Sequence, residues 1–190
     1  MLKLRFKTPQ QWTDVVLRDF NRFLNDHAQA EKKASGMAMS MLSHYPDRPE
    51  LVSAMIDLSI EELAHFREVI RLMQARGLQL GSDEKDPYIN QIRHHLGKGK
   101  SDYMLNRLLT AAIIEARGCE RFGLIAQHHP EQELQQFYQL ITDSEAKHHM
   151  LFIDLASLYF NERMIETRLD ELLDIEAEIV QALPFRSALH

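Results

Sequence analysis

The chain has 190 residues, 45% of them hydrophobic, with only 7 Gly and 6 Pro, which suits one core and a single domain spanning residues 1–190. Its one cysteine, Cys119, excludes an internal disulfide, a four-thiolate iron site and a thiolate zinc cluster, so any metal must take oxygen and nitrogen ligands. A formal charge of −6 argues against a generally nucleic-acid-coating surface, and the lack of a long apolar run or a leader-like N-terminus predicts a soluble, cytoplasmic protein with no membrane association.

Gly and Pro fall between long segments of helical periodicity, and no segment alternates with the two-residue period of a strand, so the chain reads as all-α. Thr8 is a candidate N-cap with Pro9 in the first turn, opening a short helix or the lead-in to a longer one. The first long helix runs to about Leu42, with Leu17, Phe20, Leu24, His27, Glu31, Ala34, Ala38 and Met41 along its seam. A second, about Pro49 to Arg76 and stopped by Gly77, carries Leu51, Met55, Leu58, Glu62, His65, Val69 and Leu72. Residues 77–102 form a long connection with a short helix near Pro87 to Leu96. A third helix follows from about Tyr103, with Asp102 as a possible cap, to His128, with Leu105, Leu108, Ala112, Glu115, Cys119, Phe122 and Ala126 on its seam. The fourth, about Glu131 to Phe160, repeats the spacing at Leu134, Tyr138, Ile141, Glu145, His148, Phe152, Leu155 and Tyr159. A last helix spans about Glu162 to Leu183. Two short connections flanking a long one predict a ferritin-like four-helix bundle: two helix pairs joined by a crossover, with an extra C-terminal helix.

Each of the four long helices interrupts its apolar seam with polar residues: Glu31, then Glu62 with His65, then Glu115, then Glu145 with His148. Burying an unpaired carboxylate costs several kcal/mol, so four of them call for a shared cation. Glu62-Leu63-Ala64-His65 and Glu145-Ala146-Lys147-His148 are both Glu-x-x-His, a spacing that puts both side chains on one helix face. Glu31 lies 31 residues before Glu62 and Glu115 lies 30 before Glu145, so the halves mirror one another. A lone Glu from each of two helices and a Glu-x-x-His from each of two others is the ligand set of di-iron and di-manganese carboxylate proteins. Cys119 reads as a core residue, His27 as a satisfied core residue or one that supports a ligand from behind, the tyrosines at 138 and 159 as packing, and Glu61 and Ser144 as either orienting groups for the histidines or solvated surface. Of the pairs His94-His95, His128-His129 and His148-His149, only His148 has a ligand-spaced partner, and the others read as surface or loop residues.

The segments "QAEKKASGMAMSMLSHYP", "EELAHFREV", "IIEARGCERF" and "DSEAKHH" resemble, in similar order across most of residues 1–165, the tRNA 2-methylthio-N6-isopentenyladenosine hydroxylase family. The resemblance implies a non-haem di-iron monooxygenase that hydroxylates the isopentenyl side chain of a hypermodified adenosine beside the anticodon. It makes Glu31, Glu62, His65, Glu115, Glu145 and His148 the ligands of two iron ions, with O2 as co-substrate and two electrons from an external donor of ferredoxin or reductase type. The tRNA anticodon loop is the implied partner, and a monomer is compatible with it. Lys32, Lys33, Arg117, Arg121 and the locally basic "RHHLGKGKSDYMLNR" are the candidates for a rim that holds phosphates, and Lys3, Arg5 and Lys7 form a second basic patch. The ligand set by itself also suits a ferritin-like iron-oxidising or storage protein or a peroxide scavenger, and a metal-free bundle acting only as a binding module is a third reading.

Overall fold

The computed structural model describes residues 2–96 and 100–190, the side chains of 100–102 excepted. The predicted roles of Lys98, Lys100 and Asp102 therefore lie outside the described residues. Among those residues there are seven helices and no strand: α1 (Gln10–Arg18), α2 (Phe20–His44), α3 (Pro49–Ala75), α4 (Pro87–His94), α5 (Lys100–His128), α6 (Gln132–Tyr159) and α7 (Glu162–Ala182). The described chain falls into two compact units, residues 14–84 with 186–189 and residues 1–13 with 85–185 and 190.

In the unit of residues 14–84, α2 packs on α3. Apolar periodicity runs unbroken from Leu17 through Phe20, but the backbone breaks at Asp19, whose carboxylate accepts the Arg22 N–H at 3.4 Å and caps α2. α3 starts with Pro49 at its first position and ends before Gly77, whose φ of 71° suits a residue without Cβ. The connection that follows is tied to α2: the Gly81 N–H donates to Asn25 at 2.7 Å, Gln29 donates to the Gly81 carbonyl at 2.9 Å, and Lys33 pairs with Asp83 at 2.5 Å. A Cβ on Gly81 would stand 3.1 Å from the Asn25 oxygen. The returning tail closes on the same helix, with Ser187 donating to the Asp19 carbonyl and the Leu189 N–H to Asp26, both at 2.7 Å.

In the other unit α5 is the central element, touching both α6 and α7. Its predicted seam is buried throughout, and so are Leu109, Ile113, Arg117, Arg121 and Ile125 on its other side. Arg117, with no exposed surface, forks onto Glu176 of α7 at 2.8 and 3.0 Å and donates to the Phe6 carbonyl at 2.8 Å and to Thr8 at 3.1 Å. The Thr8 hydroxyl donates to Glu120 at 2.7 Å and accepts from Arg117 and Arg121, which uses its one proton and both lone pairs. It ties the N-terminal segment to α5 instead of capping α1 as expected. α4 and α7 are capped by Asp86, which accepts from the N–H groups of Tyr88 and Ile89, and by Asn161, which accepts from that of Met164. No helix among the described residues is long and apolar enough to cross a membrane.

Candidate metal centre

In the first unit, α2 contributes Glu31 and α3 contributes Glu62 and His65, and one ligand atom from each lies within 4.8 Å of the others. Both carboxylates are buried, and His65 keeps 12% of its side chain exposed. The His65 Nδ1 stands 3.6 Å from the Glu62 Oε2 and 3.8 Å from the Glu31 Oε2, too long for strong hydrogen bonds. The other Glu31 oxygen, Oε1, is 2.6 Å from the Nε2 of the fully buried His27.

The second unit repeats the arrangement. Glu115 of α5 and Glu145 and His148 of α6 are buried, again with ligand atoms within 4.8 Å of one another, and the His148 Nδ1 is 3.0 Å from the Glu145 Oε2. The match extends beyond the ligands. One turn after each lone glutamate, a side chain donates to the carbonyl of the residue three before the motif glutamate: Ser35 to Ser59 at 3.0 Å, and Cys119 to Thr142 at 3.5 Å. These bonds fix the register of each lone-glutamate helix against its Glu-x-x-His helix. Burial, with the charges of Glu145, Asp143 and Glu115 added, pushes the Cys119 thiol up to about 11, which suits its role as the donor to the Thr142 carbonyl.

A buried cluster of carboxylates and imidazoles is what divalent first-row metals require of a protein without available thiolates. Neutral imidazoles add no charge, and the four carboxylates Glu31, Glu62, Glu115 and Glu145 match the charge of two divalent ions. The donor set therefore fits a metal site.

The phosphate-rim candidates fare differently. Arg117 and Arg121 are buried, not surface residues: Arg117 belongs to the Glu176 network, and Arg121 lies over the Trp12 ring at 5.0 Å, where burial and the neighbouring Arg117 hold its guanidinium down to about 10. Lys33 is paired with Asp83, Lys32 donates to Gln29, and Arg5 pairs with Asp170 and Asp174. Arg93 and His94 are exposed at the end of α4. A cleft of about 680 Å³ lies between the first turns of α5 and α7, lined among others by Leu105, Asn106, Asn161 and Arg163.

Two histidines expected at the surface or in a loop are buried, His129 in the loop between α5 and α6 and His149 within α6. His129 organises the turn before α6, its Nδ1 accepting the Glu131 N–H at 3.0 Å and its carbonyl accepting from Gln135 at 2.7 Å. Burial pushes the His149 imidazole below its usual range, which keeps it neutral beside His148. Sequence reasoning also missed Glu176, although it is a carboxylate spaced between the apolar Leu172, Leu173, Ile179 and Val180, the same signal that marks the ligand glutamates.

A family model described as tRNA-(MS[2]IO[6]A)-hydroxylase (MiaE) matches residues 2–190. The chain belongs to this hydroxylase family. A MiaE-family tRNA 2-(methylsulfanyl)-N(6)-isopentenyladenosine(37) hydroxylase of Pseudomonas putida (strain KT2440) is 33% identical over 175 residues, covering 92% of this chain and 85% of that protein. The hydroxylase of the same description from Salmonella typhimurium (strain LT2) is 30% identical over 155 residues, 82% of this chain and 56% of the longer relative. Among solved structures, "Protein 43 with aldehyde deformylating oxygenase activity from Synechococcus" superposes with a TM-score of 0.95 at 32% identity, over 100% of this chain and 96% of that one. The MiaE-family chain has the ferritin-like fold expected from its helix order.

Proposed function

We propose that this protein hydroxylates the isopentenyl side chain of 2-methylthio-N6-isopentenyladenosine beside the anticodon of tRNA, acting in the cytoplasm as one ferritin-like domain. The observation that carries the reading is the family match across residues 2–190, joined to a ligand set complete in type and order. Two iron ions are the cofactor. Glu31, Glu62, His65, Glu115, Glu145 and His148 would hold them. When reduced by two electrons from an external ferredoxin-type or reductase-type donor, such a centre supplies oxygen activation: one atom of O2 ends in the substrate hydroxyl and the other in water.

The remaining work falls to the chain. Its carboxylates neutralise the metal charge, its imidazoles complete the ligand set, and the apolar seam residues hold both in place and keep bulk water away. Exposed Arg93 and His94 and the cleft beside Arg163 are the surfaces offered to the anticodon loop, whose splayed bases and phosphates are the features that proteins read on single-stranded RNA.

The test combines iron-loaded protein, O2, an electron donor and tRNA carrying the prenylated, thiomethylated adenosine, with the nucleosides then analysed by mass spectrometry. A hydroxylated nucleoside is expected, from protein carrying two irons per chain and sizing as a small species, in keeping with a monomer. A large hollow oligomer accumulating many irons would point to storage. Deformylation of an aldehyde with no tRNA product would place the protein with its Synechococcus neighbour in activity as well as fold.

A further inference from the structure

The two triads share their ligands and their register bonds but differ one turn before the lone glutamate. On α2 that position is His27; on α5 it is Ala111, buried and without a polar side chain. His27 has no exposed surface, stacks in tilted fashion on Phe23 with ring centres 6.0 Å apart, and sets its Nε2 at 2.6 Å from the Glu31 Oε1. A carboxylate can only accept, so the imidazole donates. Its ring is held by packing on one side and by the helix on which both residues sit, four positions apart, on the other.

We propose that His27 is a positioning residue for metal binding: it pins the Glu31 Oε1 so that Oε2, the oxygen on the side of His65, is the one presented to the metal. Ala111 can supply no such bond to Glu115. The placing of Glu31 towards the metal thus depends on this hydrogen bond from one turn earlier on the same helix. A donor held behind a ligating group fixes its orientation, and loss of such a partner commonly costs ten- to a hundredfold in metal affinity. This rests on the di-metal reading above, and the measurement separates the two.

The experiment loads the full chain with ferrous iron without oxygen, then follows its release to a chelator, with iron counted per chain and the metal-free melting curve recorded. His27→Gln keeps an N–H donor; His27→Leu and His27→Met remove it, the second with a more adaptable side chain should the first fold poorly. Wild type is expected to hold two irons. In the donor-free variants iron release should quicken by about ten- to a hundredfold, and the Gln variant should remain within about threefold of wild type. Unchanged release in the donor-free variants, or a Gln variant as impaired as Leu, would overturn the role of His27. Wild-type protein that binds no iron would instead overturn the di-metal reading itself.

Discussion

Replacing Arg117 by Met should unfold the protein far more readily while leaving its affinity for tRNA intact. The guanidinium and the Glu176 carboxylate are both without exposed surface and meet through two bonds of 2.8 and 3.0 Å, with further bonds from the same arginine to the Phe6 carbonyl and Thr8. Burial pushes the guanidinium towards neutrality, but the bonds and charge of Glu176 more than offset this and hold it firmly protonated. Burial together with the Glu176 charge drives the Tyr88 hydroxyl well above its usual range, so at neutral pH it is a donor, set 3.2 Å from the same carboxylate. Removing the arginine leaves the buried Glu176 side chain supported chiefly by Tyr88. Breaking such a pair from one side costs about 3–5 kcal/mol, a large share of a domain's total of about 5–15 kcal/mol. At about 2–4 °C per kcal/mol for a chain of this size, the melting temperature should fall by about 6–20 °C. The double variant Arg117→Met with Glu176→Leu should regain most of that loss, because an ion pair and its apolar replacement are close in free energy. Urea unfolding of the two single variants and the double one measures the cycle, and filter binding measures tRNA affinity. A cost below about 1 kcal/mol, or lost tRNA binding at an unchanged melting point, would refute the burial argument and restore Arg117 to the phosphate rim.

The carboxyl of Asp86 is held at about 2: burial alone would raise it, but the His190 imidazole at 3.3 Å and the two helix N–H groups bring it below its ordinary 3.8. A depressed carboxylate adds stability above its unfolded value and loses it as the pH falls, so about 2 kcal/mol should disappear between about pH 4 and pH 2. His190→Ala should shrink that acid dependence, which equilibrium unfolding at pH 5 and pH 2.5 would register. Glu145→Gln should lower iron binding about a hundredfold and abolish hydroxylation, while the metal-free form melts no lower than wild type, since one of several clustered carboxylates becomes neutral. Retention of two irons per chain by this variant would remove Glu145 from the ligand set.

The fold was legible because long helices announce themselves by periodicity, and the buried carboxylate cluster because each candidate glutamate interrupts a seam that apolar residues otherwise fill. The seam of α5 is buried from Leu105 to Ala126 as its spacing requires, and that of α6 from Leu134 to Leu155. The break at Asp19 was hidden for the same reason: apolar residues keep their spacing across it, and periodicity reports which face is buried without reporting whether the backbone hydrogen bonds are continuous. Arg117, Arg121 and His149 were misjudged because charge was equated with exposure. A helix packed on two sides has no solvated face to receive its charged residues, and on α5 they are instead neutralised by Glu176 and Glu120 or laid over Trp12.

What the structure adds to the sequence repeat is a reason for it. A Glu-x-x-His motif fixes two ligands on one helix, but the third ligand sits on another helix, and its place depends on how the two slide past each other. A slip of one residue moves a side chain by 1.5 Å along the axis and by 100° around it, enough to take a carboxylate out of reach. The bond from Ser35 to the Ser59 carbonyl, and its counterpart from Cys119 to the Thr142 carbonyl, each lie one turn from the lone glutamate and three residues from the motif glutamate. They resist that slip at the level of the ligands themselves. The residue types differ between the halves, hydroxyl in one and thiol in the other, while the geometry is kept. Position, more than identity, is therefore what the two halves share, and the exchange of His27 for Ala111 stands out against it as a difference in chemistry, not merely in packing.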